Sequence, residues 1–109
     1  MLVPALAQKV TINYMTFSAA PNYIDTLDKT IADFEAKNPN IEIKYQTAGW
    51  DNYFTKLQTL VASGKEPDTY ELNYENFVTY ASGGALLNLD SLLAADSGFD
   101  KAIYNQRAL

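Results

Sequence analysis

The alternation of short strands and amphipathic helices along this chain predicts an α/β fold with a parallel sheet. Three observations carry that expectation. Apolar residues recur with period two near residues 9–15 and 41–45, helical patterning lies between and after them, and Pro or Gly marks the boundaries. Strands that alternate with helices are joined by right-handed crossovers, so they run parallel and the helices cover the sheet.

Residues 9–15 alternate Val10, Ile12 and Tyr14 with more polar neighbours, the signature of a first strand, and the loop from Phe17 to Asn22 follows. From Tyr23 to Lys37 the residues Tyr23, Ile24, Leu27, Ile31 and Phe34 share one helical face, and Pro39 ends the helix. Ile41, Ile43 and Tyr45 then alternate with Glu42, Lys44 and Gln46 in a second strand closed by Gly49. A second helix is expected to start on Asp51 or Asn52 as N-cap. It buries Tyr53, Leu57, Leu60 and Val61 beside Phe54 and stops at Gly64 in a left-handed conformation. Pro67-Asp68 opens a third short strand through Leu72, residues 75–81 form a helix closed by Gly83-Gly84, and Asp90 is expected to cap a last short helix.

Composition narrows the function classes. The chain has 109 residues, room for one domain, and 48% hydrophobic content, enough for a core. A formal charge of -5 with only eight Lys and Arg, and no basic run, argues against nucleic acid as a partner. His and Cys are absent, which removes the commonest general base, the thiolate nucleophile, the usual zinc ligands and any disulfide framework. No cofactor is implied. Ala5-Leu6-Ala7 has the small-x-small form that precedes a signal-peptidase cut, which would leave Gln8 as the mature N-terminus. Residues 1–7 are therefore expected to be a signal-peptide remnant or disordered tail, and the protein to be exported to the periplasm or outside the cell. No later stretch approaches the ~18 apolar residues that span a bilayer.

Several phrases, taken in order, carry a resemblance. They are Val10-Thr11-Ile12-Asn13-Tyr14, the run from Phe34 to Ile41, and Trp50-Asp51-Asn52-Tyr53-Phe54-Thr55-Lys56-Leu57. Ala62-Ser63-Gly64-Lys65-Glu66-Pro67-Asp68 and Gly84-Ala85-Leu86-Leu87-Asn88-Leu89 complete the set. From Val10 to about Leu93 the chain resembles the opening of extracellular solute-binding protein family 1, the maltose-binding-like receptors of carbohydrate ABC importers. The resemblance implies a partial N-terminal lobe of periplasmic-binding-protein type II over residues 8–109, with strand order 2-1-3. It also implies a carbohydrate ligand and, in the full-length protein, ABC importer permease subunits as partners. Members of the family are several times longer, so this chain is expected to carry only one wall of the ligand site.

In an open parallel sheet, ligands bind beyond the carboxyl ends of the strands where the strand order reverses. The loops placed there by the implied order contain Phe17, Ser18, Trp50, Asp51, Asn73, Tyr74 and Glu75. Aromatic rings stack on the C–H faces of a pyranose, while hydroxyl, amide and carboxylate groups bond its hydroxyls. Each residue also has a structural alternative. Trp50 could plug the second helix, Asp51 could cap it, and Glu75 suits a helix first turn whether or not a ligand exists. A glycosidase would need two opposed carboxylates, and nothing marks any two of the thirteen acidic residues for that role, so no enzymatic activity is expected. The other alternative is a self-associating module without ligand binding of its own, forming a homodimer or swapping segments through an uncovered sheet edge.

Overall fold

The computed structural model describes residues 8–105 and 107, so the expected signal segment lies outside the described residues. The order is β1 (Val10–Thr16), α1 (Pro21–Lys37), β2 (Ile41–Thr47), α2 (Trp50–Ala62), β3 (Thr69–Tyr70), α3 (Tyr74–Ser82), α4 (Asp90–Ala95) and a 3₁₀ turn (Lys101–Ile103). The chain divides into two compact units between Asn73 and Tyr74, and the sheet lies in the first. Among the described residues no helix is long and apolar enough to cross a membrane.

The sheet has the order β2-β1-β3 with parallel pairing throughout. β1 pairs with β2 along its whole length, from Val10 opposite Ile41 to Thr16 opposite Thr47. β3 meets β1 only at Tyr14 opposite Thr69 and Met15 opposite Tyr70. This unequal pairing corrects the burial pattern read from alternation alone. Val10 is 54% exposed, whereas Met15 and Thr16 are fully buried, because β1 is flanked on both sides only near its carboxyl end.

The third strand is shorter than the expected span from Pro67 to Leu72, and a side chain on one side and a further backbone bond on the other extend the attachment. Ahead of the strand, Asp68 Oδ2 accepts the Asn13 N–H at 2.8 Å. Beyond it, the Glu71 N–H reaches Met15 O at 3.1 Å. The fully buried Tyr53 of α2 lies across the same join: its hydroxyl is 2.8 Å from the Glu71 carbonyl and 3.0 Å from the Met15 carbonyl, and accepts the Glu71 N–H at 3.1 Å. Among the described residues Met15, Tyr53 and Leu57 are the fully buried apolar side chains, so the core of the first unit sits where α2 crosses the end of β1.

The helices follow their sequence signals with two corrections at the caps. α1 starts at Pro21, whose fixed φ and missing N–H suit a first turn, and turns Tyr23, Ile24, Leu27 and Ile31 inward, leaving Phe34 38% exposed. Its Glu35 accepts the Ile43 N–H at 3.0 Å, which occupies a donor on β2, an edge strand. The N-cap of α2 is Gly49, not Asp51 or Asn52, because the Asn52 and Tyr53 N–H groups already bond Gly49 O and place Asp51 inside the first turn. Gly64 ends α2 at φ +70, with Lys65 N–H bonded to Leu60 O at 2.8 Å. In the second unit Asp90 is the first residue of α4 and not its cap; its own N–H is held by Asn88 Oδ1 at 2.9 Å.

Tyr53→Phe is expected to lower the unfolding free energy by about 1–3 kcal/mol, since it removes the hydroxyl that meets the Glu71 carbonyl at 2.8 Å. Urea denaturation checks this. An unchanged midpoint would mean that the hydroxyl does not hold the join.

Candidate functional site

The carboxyl ends of β1 and β3 are where strand order reverses, since the chain passes from β1 outward to β2 and then back across β1 to β3. Phe17 leaves β1 at this edge, and α2 brings Trp50, Tyr53 and Phe54 to meet it. The Phe17 ring stands edge-on to Trp50 (centroids 5.0 Å, 82°) and to Tyr53 (5.3 Å, 88°), with Phe54 at 6.2 Å. Phe54 in turn lies edge-on to Trp50 at 5.1 Å and to Tyr53 at 5.1 Å. Such T-shaped contacts align ring edges with ring faces and are favoured by the quadrupoles of the rings. The cluster grades from core to solvent: Tyr53 is fully buried, Phe17 and Phe54 are half-buried, and Trp50 is 54% exposed.

The Trp50 ring packs on Phe17 and Phe54 while more than half of its surface stays open. Ser18 lies beside it in sequence, with its N–H turned onto Thr16 Oγ1 at 3.1 Å. Asp51 is exposed in the first turn of α2, where the helix N-terminus favours a carboxylate, and Asn73 is half-buried at the end of the first unit. Tyr74 and Glu75 belong to the second unit, at the start of α3; Tyr74 is 79% exposed and Glu75 is an exposed first-turn carboxylate. Phe17 and Ser18, in the loop after β1, and Trp50 and Asp51, in the first turn of α2, thus belong to the first unit. Among the described residues no group of His, Cys, Asp and Glu could hold a metal ion.

Sequence reasoning missed Glu71. Its Oε2 accepts the Thr16 hydroxyl at 2.7 Å and the Phe17 N–H at 3.3 Å, while its Oε1 accepts the Tyr14 hydroxyl at 2.8 Å and the Tyr23 hydroxyl at 3.5 Å. A carboxylate between Tyr70 and Leu72, inside a segment read as a strand, was the available signal, because a charged side chain in a sheet interior requires partners.

Residues 20–109 match the bacterial extracellular solute-binding protein family. Among solved structures, an ABC substrate-binding protein of Listeria monocytogenes in complex with cycloalternan is 42% identical, with TM-score 0.85 over 93% of this chain and 25% of that one. A periplasmic oligogalacturonide-binding protein of Yersinia enterocolitica, in complex with saturated digalacturonic acid, is 26% identical with TM-score 0.78, covering 92% of this chain and 24% of that one. A putative ABC transporter periplasmic-binding protein of Escherichia coli is 35% identical over 61% of this chain and 15% of its own length. The chain spans a quarter or less of the length of these proteins.

Burial pushes the Tyr14 hydroxyl well above the ordinary tyrosine range, and its bonds to Tyr23 and Glu71 push the same way, so it stays a proton donor. A group whose pKa is raised on folding stabilises fully below its unfolded value, and that stabilisation is lost as pH rises toward the folded one. Above about pH 10 the unfolded chain releases the Tyr14 proton while the folded chain keeps it, so stability falls with increasing pH. Thermal melts from pH 9 to pH 11 should show this decline, and Tyr14→Phe should flatten it. An equally steep decline in the variant would contradict the assignment.

Proposed function

The chain belongs to the bacterial extracellular solute-binding protein family, and from that premise we propose that it captures a sugar or oligosaccharide at the carboxyl edge of its sheet for delivery to the permease of an ABC importer. The observation that carries this reading is the half-exposed Trp50 ring, held upright by Phe17 and Phe54 beside the strand ends. A flat apolar ring bounded by polar groups matches a pyranose, whose C–H face stacks while its hydroxyls seek hydrogen bonds. Ser18, Asp51 and Asn73 of the same unit supply hydroxyl, carboxylate and amide groups for those bonds.

In this reading residues 8–109 form part of an N-terminal lobe and supply one wall of the site, while residues 1–7 belong to the export signal that takes the protein across the cytoplasmic membrane. The ligand is held and released unchanged, without a catalytic step. The Listeria protein in complex with cycloalternan and the Yersinia protein in complex with saturated digalacturonic acid lend support for carbohydrate as the ligand class.

Calorimetric titration with a panel of oligosaccharides tests the proposal, followed by chromatography of the recovered sugars. Binding by the wild type, sugars recovered intact, and an affinity loss of about 1–3 kcal/mol in Trp50→Ala are the expected results. Shortened sugars, or binding indifferent to Trp50, would contradict it.

A second reading, a self-associating module, is favoured by the second unit, where α3 and α4 bury no residue fully and Phe77, Val78, Leu87, Leu89 and Leu92 are exposed. An apolar surface of this kind favours association. Because Glu35 occupies a donor on the β2 edge, a homodimer or segment swap is expected to use these helices or the β3 edge. Light scattering across a concentration series should show a mass rising toward the dimer. A constant monomer mass at the highest concentration would rule that reading out.

A further inference from the structure

We infer that Glu71 is a positioning residue for the aromatic platform: by bonding the loop that leaves β1, its carboxylate fixes Phe17 and through it the stance of Trp50. The functional consequence rests on the sugar-binding reading above; the structural one does not.

Glu71 follows β3 directly and stands where strand order reverses, at the point of the sheet where a ligand's polar groups would be expected. Its own hydrogen bonds turn both oxygens toward internal donors instead. A carboxylate offers about four lone-pair positions. Here four donors converge on them, two to each oxygen: Tyr14 and Tyr23 on Oε1, Thr16 and Phe17 on Oε2. Both oxygens face internal donors, so Glu71 acts through the groups it holds.

Those groups lie on β1, on the residue that follows it, and on the first turn of α1. Thr16 is fully buried; its hydroxyl donates to Glu71 and accepts the Ser18 N–H, so one carboxylate holds two consecutive loop residues, Phe17 directly and Ser18 through Thr16. Phe17 is held by its backbone N–H, which leaves its ring to meet Trp50, Tyr53 and Phe54. The backbone of Glu71 is anchored separately, its N–H and C=O meeting the Tyr53 hydroxyl. Changing only the side chain therefore loosens the loop while the attachment of β3 remains.

Trp50 is the only tryptophan, so its emission reports on one position. Glu71→Gln retains shape but replaces one acceptor oxygen by an amide NH₂, which meets two of the four donors with a donor. The expected result is an unchanged far-UV spectrum and a cooperative melt. Trp50 emission moves to longer wavelength, acrylamide quenching rises about twofold as the loop gains local freedom, and sugar affinity falls about tenfold. Thr16→Val, isosteric but without the hydroxyl, should move the same signals in the same direction, and it decides the matter if Glu71→Gln does not fold. Emission and quenching identical to wild type in the folded variant would overturn the inference, even if its melting temperature fell, because Glu71 would then be only structural. A wild-type protein that binds no sugar would remove the sugar reading while leaving the spectral test of Glu71 intact.

Discussion

A strand of two residues cannot hold its place in a parallel sheet by ladder bonds alone, and the rest of the first unit depends on how β3 is fastened to β1. Side chains provide the fastening. Asp68 takes the Asn13 N–H before the ladder begins, and the Tyr53 hydroxyl bridges Met15 and Glu71 after it ends. Because Tyr53 belongs to α2, the same contact locks the helix that carries Trp50 to the end of the sheet. Buried backbone groups need partners, and here the partner that satisfies them also brings the aromatic face to the strand ends. Stability and site geometry thus share one residue.

The platform shows the same economy at its solvent end. Trp50 meets Phe17 and Phe54 through perpendicular contacts, so the exposed ring is braced by its neighbours. A pre-organised ring loses little side-chain entropy on binding, which makes it a better stacking surface than a mobile one. Glu71 extends that bracing to the backbone of the loop. Its charge is spent on internal donors, whereas Asp51 and Glu75 remain exposed.

Much of the fold was legible in the sequence because its signals are local. The period of residues 23–37, the stop at Gly64 and the closing Gly83-Gly84 each follow from backbone chemistry within a few residues, and the structure places helix ends there. The strand order came through the family resemblance and matches β2-β1-β3. What escaped is non-local. The burial of Met15 in place of Val10 depends on where β3 pairs, and the role of Glu71 depends on Tyr14, Thr16, Phe17 and Tyr23, residues 48 to 57 positions away. The caps failed for a different reason: Asp51 and Asp90 have the right chemistry, but each lies inside the first turn because a neighbouring residue starts the helix earlier. Among the candidate residues, Phe17 and Trp50 are conspicuous as rings at strand-to-helix turns, whereas Glu71 shows in the sequence only as a carboxylate inside a strand segment, its partners being non-local.

The central claim is that the aromatic edge of the sheet, and not some other face, receives a carbohydrate. A nuclear magnetic resonance titration of the labelled chain with an oligosaccharide tests it most directly, since the single indole N–H belongs to Trp50. The account predicts saturable shifts of that indole signal and of the Phe17 and Ser18 amides, with signals from the exposed side of α1, such as Asp33 and Lys37, unmoved. Saturable shifts elsewhere with a stationary Trp50 indole would contradict it.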